Sequence, residues 1–200
     1  MTRTLRFLSL PLALILAGLS ILSACSQSAT TGYRTYSLPD KGIAHLSLEY
    51  PAAFNVSQVQ LFDDTGYERI DIDGPYSREN RDRTTIWVVA QRYTTPITVA
   101  DLLESSIGVA SGLSGYRLID RSSTSVNGIT AEQFIYFYYS QRSDYEKNIL
   151  GFAPAPMVWR EIFFSCNYLQ WTAGMSADES TVDADTTGFD HLLQTLTMLP

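Results

Sequence analysis

Two histidines, two cysteines and two groups of carboxylates are where reactive chemistry would have to start in this 200-residue chain. His45 and His191 are far apart in sequence. A transition-metal site usually needs three or four ligands drawn from His, Cys and carboxylate, so a shared metal requires further ligands brought in by the fold. The default for both histidines is an exposed or locally bonded ring. Asp63, Asp64, Glu68, Asp71 and Asp73 form one acidic stretch, without the Asp-x-Asp-x-Asp-Gly spacing of a calcium loop. Asp71 and Asp73 share one side of an alternating segment and are expected on a solvated face. Asp178, Glu179, Asp183 and Asp185 read as a solvated helical turn. No Gly-x-Ser-x-Gly elbow, Ser-x-x-Lys, His-Glu-x-x-His or phosphate-cradling glycine loop is present. The sequence therefore implies no catalytic residue, no metal and no cofactor. Cys166 follows the apolar run Ile162-Phe163-Phe164 and reads as a half-buried strand residue. With no histidine near it in sequence, nothing marks it as a low-pKa thiol.

Cys25 is a different matter. It closes Leu22-Ser23-Ala24-Cys25, directly after an almost wholly apolar run from Phe7 to Leu22, with Arg3 and Arg6 upstream. A basic start, a short apolar core and small residues before the cleavage point define a secretory signal. The run is also short of the roughly 20 residues that a spanning helix needs. The tetrapeptide resembles a bacterial lipobox, which implies cleavage before Cys25 and acylation of that cysteine. Residues 1–24 are thus expected to be a lipoprotein signal peptide. Residues 25–33 would be the lipidated cysteine and a flexible tether, and 34–200 a single domain. More than one acyl chain gives stable anchoring, so the membrane is an expected partner, with the domain on its extracytoplasmic side. That is the outer membrane of a two-membrane cell, or the outer face of the plasma membrane of a single-membrane one. Removing Arg3 and Arg6 takes the formal charge from −7 to −9. So acidic a body lacks the basic footprint of a nucleic-acid binder and has no electrostatic pull towards anionic lipid.

Period-two alternation dominates the chain beyond the tether. His45 to Tyr50 alternates and stops at Pro51; Phe54 to Phe62 reads as a short strand with a slip. Glu68 to Asp73 puts Ile70 and Ile72 on one side and ends at Gly74-Pro75, and Thr84 to Tyr93 is rich in β-branched and aromatic residues. The period then changes. Thr98 is an N-cap candidate, with Asp101 in the first turn and Val99, Leu102, Leu103, Ser106, Ile107 and Ala110 at helical spacing. Tyr116 to Val126 and Thr130 to Gln141 are strands joined by Asn127-Gly128, both tolerant of positive φ. Ser143 to Pro156 is a long connection. Met157 to Cys166 and Tyr168 to Met175 are strands meeting at Asn167. Phe189, Leu192, Leu193 and Leu196 form the stripe of a C-terminal helix. This order predicts an α+β fold, a mostly antiparallel β-sheet with helices packed on one face.

In that order and spacing the chain resembles the PsbP-like (Mog/PsbP-type) proteins, and three parts carry the likeness. One is the opening strand ending in Tyr50-Pro51 and followed by Phe54. Another is the strand-helix unit from Ile86-Trp87-Val88-Val89 to Thr98-Val99-Ala100-Asp101-Leu102-Leu103. The third is the hairpin Val126-Asn127-Gly128-Ile129-Thr130-Ala131-Glu132 with the tail Phe189 to Leu196. The resemblance implies a non-enzymatic binding or assembly module. It does not imply photosystem binding, because a lipobox and a short tether stand where the photosystem protein has its partner-engaging segment.

Aromatics supply the remaining signal. Phe134-Ile135-Tyr136-Phe137-Tyr138-Tyr139 is apolar on both faces. Phe134, Tyr136 and Tyr138, with Trp159, are the candidate patch for a protein or small-ligand partner, since exposed aromatic patches mark such sites. The competing expectation is that loops or a helix cover them, with Gly151 to Trp159 as the best cover. Two other readings stay open: an envelope enzyme of hydrolase type with an unrecognised site, and a metal-binding carrier. A cleft holding a carboxylate, serine or histidine cluster would favour the first of these.

Overall fold

The computed structural model describes residues 32–37, 42–62, 65–76 and 82–198. Cys25 and residues 1–24 lie outside them. Tyr33–Ser37 (β1) and Leu46–Pro51 (β2) pair antiparallel in a small sheet. Asn55–Phe62 (β3), Tyr67–Tyr76 (β4) and Arg83–Gln91 (β5) begin a larger one. Val99–Ala110 (α1) interrupts, and then Arg117–Val126 (β6) and Ile129–Tyr139 (β7) form a hairpin. After the short Asp144–Asn148 helix (α2) come Pro156–Cys166 (β8), Leu169–Asp178 (β9), Val182–Thr195 (α3) and Thr197–Met198 (β10). The large sheet runs β3-β4-β5-β9-β8-β7-β6, and every neighbouring pair is antiparallel. β10 returns to pair with β2. The class is α+β with mostly antiparallel sheet, as the alternation predicts.

Local chemistry explains the boundaries. Thr98 accepts a hydrogen bond from the Asp101 N–H at 3.1 Å, and the Asp101 carboxylate accepts one from the Thr98 N–H at 2.9 Å. This reciprocal cap satisfies donors that the first helical turn leaves open. Thr98→Ala is expected to lower stability by about 1 kcal/mol; a shift in the urea midpoint reads it, and an unchanged midpoint would mean that the cap contributes nothing. Asn127 and Gly128 take φ of +49° and +79°, so the β6–β7 hairpin turns as its residues predict. Asn167 and Tyr168 do the same for β8–β9, at +52° and +63°. The slip expected between Phe54 and Phe62 is a register shift between Val56 and Gln58. Gly74-Pro75 does not end β4, which resumes pairing at Tyr76 after an irregularity.

Each face of the large sheet is closed differently. On one side Ile70, Ile72, Ile86, Val88, Ile162, Phe164, Trp171 and Met175 meet Leu46 and Leu48 of the small sheet and Phe189, Leu192 and Leu193 of α3. The expected packing of a helix against one face is that of α3. The reverse face carries Phe134, Tyr136 and Phe163, and α1 covers them with Leu103 and Ala110. The alternating side chains of β7 and β8 are thereby buried on both faces, which explains why both strands read as apolar throughout.

Two acidic expectations are corrected by packing. Asp71 and Asp73 are not on a solvated face, since both are buried. Arg69 donates from Nε and Nη2 to Asp71 at 2.7–2.9 Å, while Arg83 lies 2.8 Å from Asp73 and Thr85 donates to it at 2.9 Å. Asp178 is only 2% exposed at the end of β9 and accepts from the Ser180 N–H and hydroxyl at 2.9 and 2.6 Å. Alternation puts Arg69 on the same side of β4 as Asp71, but only strand pairing shows that Arg83 and Thr85 of β5 meet Asp73.

Candidate ligand-binding cleft

Three aromatic rings of the candidate patch stand on the reverse face at the edge of α1. Trp159 is central. Its ring centroid is 5.9 Å from Tyr136 and 6.0 Å from Tyr138, and those two are 5.8 Å apart. Strand register puts them there: Tyr136 pairs with Trp159, and Tyr138 with the neighbouring Met157. Phe134 stacks on Tyr136 at 5.1 Å and is fully covered, so it supports the group from below and does not line it. Tyr136 is 4% exposed, while Tyr138 and Trp159 are half-buried. The cover over Phe134 and Tyr136 is α1, not the expected 151–159 segment.

Between α1 and these rings lies a cleft of about 330 Å³, lined by Ser105, Ser106, Val109, Ala110 and Leu113 with Tyr136, Tyr138, Trp159 and Glu161. That volume is at the small end of the ~300–1,000 Å³ typical of ligand pockets. Glu161 is its one carboxylate. Burial pushes the Glu161 carboxyl up from 4.5 to about 7, against the opposing pull of the Trp159 indole, the Ser106 hydroxyl and the more distant Arg69 guanidinium. The Trp159 Nε1–H is itself buried and lies near Glu161 without making a hydrogen bond of ordinary geometry. Burial also raises both tyrosines, Tyr136 the more strongly, with a smaller contribution from the Glu161 charge. The Tyr138 hydroxyl is 3.1 Å from Ser176 Oγ, which partly offsets the effect of its burial. All three aromatic side chains therefore stay neutral at physiological pH.

Beside Glu161 the sheet row holds a glycine. Along one row of the sheet Trp87 pairs with Gly174, and Gly174 with Glu161. Trp87 lies over Gly174, where a Cβ would overlap the indole, and its centroid is 4.4 Å from Trp159. Arg69, held by Asp71, continues this face beyond Trp87.

Glu161 and Ser106 of the cleft, and Trp87 and Gly174 beside it, are not legible in the sequence. Glu161 has one visible sign: it alternates with Trp159 and Phe163, an acid at an apolar position. Arg160 beside it masks that sign, because two adjacent charges leave the buried side undecided. The structure decides it. Arg160 faces α3, 2.6 Å from Asp190 and over the Phe189 ring.

The histidines lie elsewhere. His191 on α3 is 2.7 Å from Glu49 of β2 and stacks on Tyr33 of β1 at 3.5 Å. His45 stands just before β2 with φ of +41°. Among the described residues, no three or more His, Cys, Asp and Glu side chains are grouped to hold a metal ion. Cys166, half-buried at the end of β8, gives its carbonyl to Trp171 Nε1 at 3.2 Å. Among the described residues no helix is long and apolar enough to cross a membrane.

No family model and no curated protein matches the sequence. Solved structures do match. LpqN of Mycobacterium tuberculosis, described as involved in cell envelope biogenesis, is 14% identical with a TM-score of 0.53, over 85% of this chain and 93% of that one. The cyanobacterial PsbP (CyanoP) of Synechocystis is 13% identical with a TM-score of 0.53, over 89% and 99%. A Pseudomonas aeruginosa protein of unknown function is 16% identical with a TM-score of 0.51, over 84% and 98%. At these identities the likeness is one of fold, and that fold is the PsbP-like one the sequence resembles.

Proposed function

We propose that this protein is a non-enzymatic binding module of the cell envelope, held at the membrane by acyl chains on Cys25, and that the cleft under α1 receives its ligand. The observation that carries the reading is the cleft itself: three neutral aromatic side chains and one carboxylate converge on a half-open space at the helix edge. A few polar groups set into an apolar wall are what a small-ligand site needs. The envelope location is supported by the signal-like start of the sequence, and by the involvement of the mycobacterial structural neighbour in cell envelope biogenesis.

The test uses full-length protein isolated from its native membranes. The N-terminal peptide is expected to carry acyl chains, and Cys25→Ser to move the protein to the soluble fraction; an unmodified N-terminus would sink the anchor. Val109 is exposed at the cleft mouth, so Val109→Trp fills the cleft without touching the core. Small molecules extracted from the native protein are expected to be missing from that variant. Identical extracts would sink the cleft as the binding site.

One observation favours a second reading, a hydrolase-like enzyme. A carboxyl titrating near 7 beside the Ser106 hydroxyl has the properties of a general base next to a nucleophile. Neither histidine lines the cleft, and no lysine does. A serine-directed organophosphorus probe separates the two readings: Ser106 is expected to stay unlabelled, and its labelling would favour the enzyme.

A further inference from the structure

The binding reading leaves the ligand's chemistry open, and the lining of the cleft narrows it. We propose that the cleft takes a small organic cation, an alkylammonium group seated against Tyr138 and Trp159, with Tyr136 at its base, and facing the carboxylate of Glu161. This rests on the reading of the cleft as the binding site.

Three features point to positive charge. The three ring centroids form a triangle with sides of 5.8, 5.9 and 6.0 Å. Tyr136 is 4% exposed under α1, so a cation would meet chiefly Tyr138 and Trp159, which are half-buried and stand at 73° to each other; an aromatic face attracts a cation within ~6 Å of its centroid. The second feature is charge balance. Glu161 is the one ionisable acid of the lining, and no lysine or arginine joins it. Arg69 reaches it only at a distance and is committed to Asp71 by a two-pronged contact. An anion would meet Glu161 unscreened, and an uncharged apolar ligand would bury its carboxyl with no new partner. A cation supplies that partner.

The third feature is that Glu161, when ionised, has donors waiting. The indole N–H of Trp159 is unpaired and buried, and Ser106 lies on the helix side. An arriving ammonium would draw the proton off Glu161, after which Trp159 and Ser106 hold the carboxylate from behind while the cation meets it from in front. Tyr136, Tyr138 and Arg69 are the other titratable groups that face it, and none changes charge near neutrality. Binding is therefore proton-linked: one proton leaves for each cation that enters a protonated site.

The probes are choline and its uncharged isostere 3,3-dimethylbutan-1-ol, titrated calorimetrically into the full-length protein in non-ionic detergent at pH 8. Choline is expected to bind about tenfold or more tightly than the isostere. Glu161→Gln is expected to lose about tenfold for choline and little for the isostere. Below pH 7 choline affinity should fall by up to about tenfold per unit, with buffer-dependent heats that report the released proton. Phosphocholine in a parallel titration separates sources. Weaker binding than choline indicates a free amine, and equal or tighter binding a lipid headgroup; both leave the ammonium chemistry standing. Equal binding of choline and isostere, unaffected by Glu161→Gln, overturns the cation and keeps the cleft as an apolar site. Failure of both compounds to bind also overturns it. The extract comparison with Val109→Trp then reports separately whether the cleft holds anything.

Discussion

Gly174→Ala is expected to destabilise the protein by about 3 kcal/mol and to disturb the cleft with the same stroke. A Cβ at this position would stand 2.8 Å from Trp87 Nε1 and closer still to two ring carbons. The ring cannot step aside. It is 4% exposed and has Trp159 against it at 4.4 Å. Overpacking of this kind costs ~1–3 kcal/mol when neighbours can shift, and here the neighbour is a rigid indole in a filled row. The backbone of β9 or the Trp87 ring must give way, and whichever does moves Trp159. Chemical denaturation followed by tryptophan fluorescence reads both effects, stability in the midpoint and ring displacement in the native spectrum. Combining the change with Trp87→Ala checks the cause. Trp87→Ala alone should cost ~3 kcal/mol, but once the indole is gone the alanine at 174 should cost almost nothing more. Additive losses in the double variant would mean that the overlap is not the reason glycine stands there.

Position 174 also shows what kind of information the sequence withholds. Sequence periodicity is a property of one strand, and within a strand it is legible: the alternation of Leu46, Leu48 and Tyr50, the Thr98–Asp101 cap and the Asn127-Gly128 turn all stand where expected. The PsbP-like order of elements is legible for the same reason. The cleft depends on pairings between strands distant in sequence. Trp87, Gly174 and Glu161 become neighbours only once β5, β9 and β8 are set side by side. Tyr136, Tyr138 and Trp159 stand out because aromatic density is visible in a single segment. Their cover is expected in the wrong segment because α1 lies before β7 in the chain and crosses back over it. Asp73 and Asp178 defeat the expectation of a solvated face on the same grounds, since a lone strand does not show the arginine of its neighbour or the turn that will meet its carboxylate. The five-residue α2 is too short to show a period, although its Ser143–Glu146 cap has the same form as that of α1.

Glu161→Gln is expected to stabilise the protein at alkaline pH and to leave it unchanged in acid. The folded-state carboxyl titrates near 7 and the unfolded one near 4.5. Below the lower value both states are protonated, and the group contributes nothing to the pH dependence. Between the two the folded chain keeps a proton that the unfolded chain has released, so stability falls by about 1.4 kcal/mol per pH unit as pH rises. Above 7 both are ionised and the loss is complete, about 3 kcal/mol in all. Glutamine is neutral throughout. The difference between variant and wild type in urea unfolding should therefore be near zero at pH 4, intermediate at pH 6 and about 3 kcal/mol in favour of the variant at pH 8. A constant difference across that range would mean that Glu161 is not held out of water as its place in the cleft requires. Choline at a concentration that saturates both should stabilise the wild type at pH 8 by about 1.4 kcal/mol more than Glu161→Gln, the equivalent of the tenfold difference in affinity.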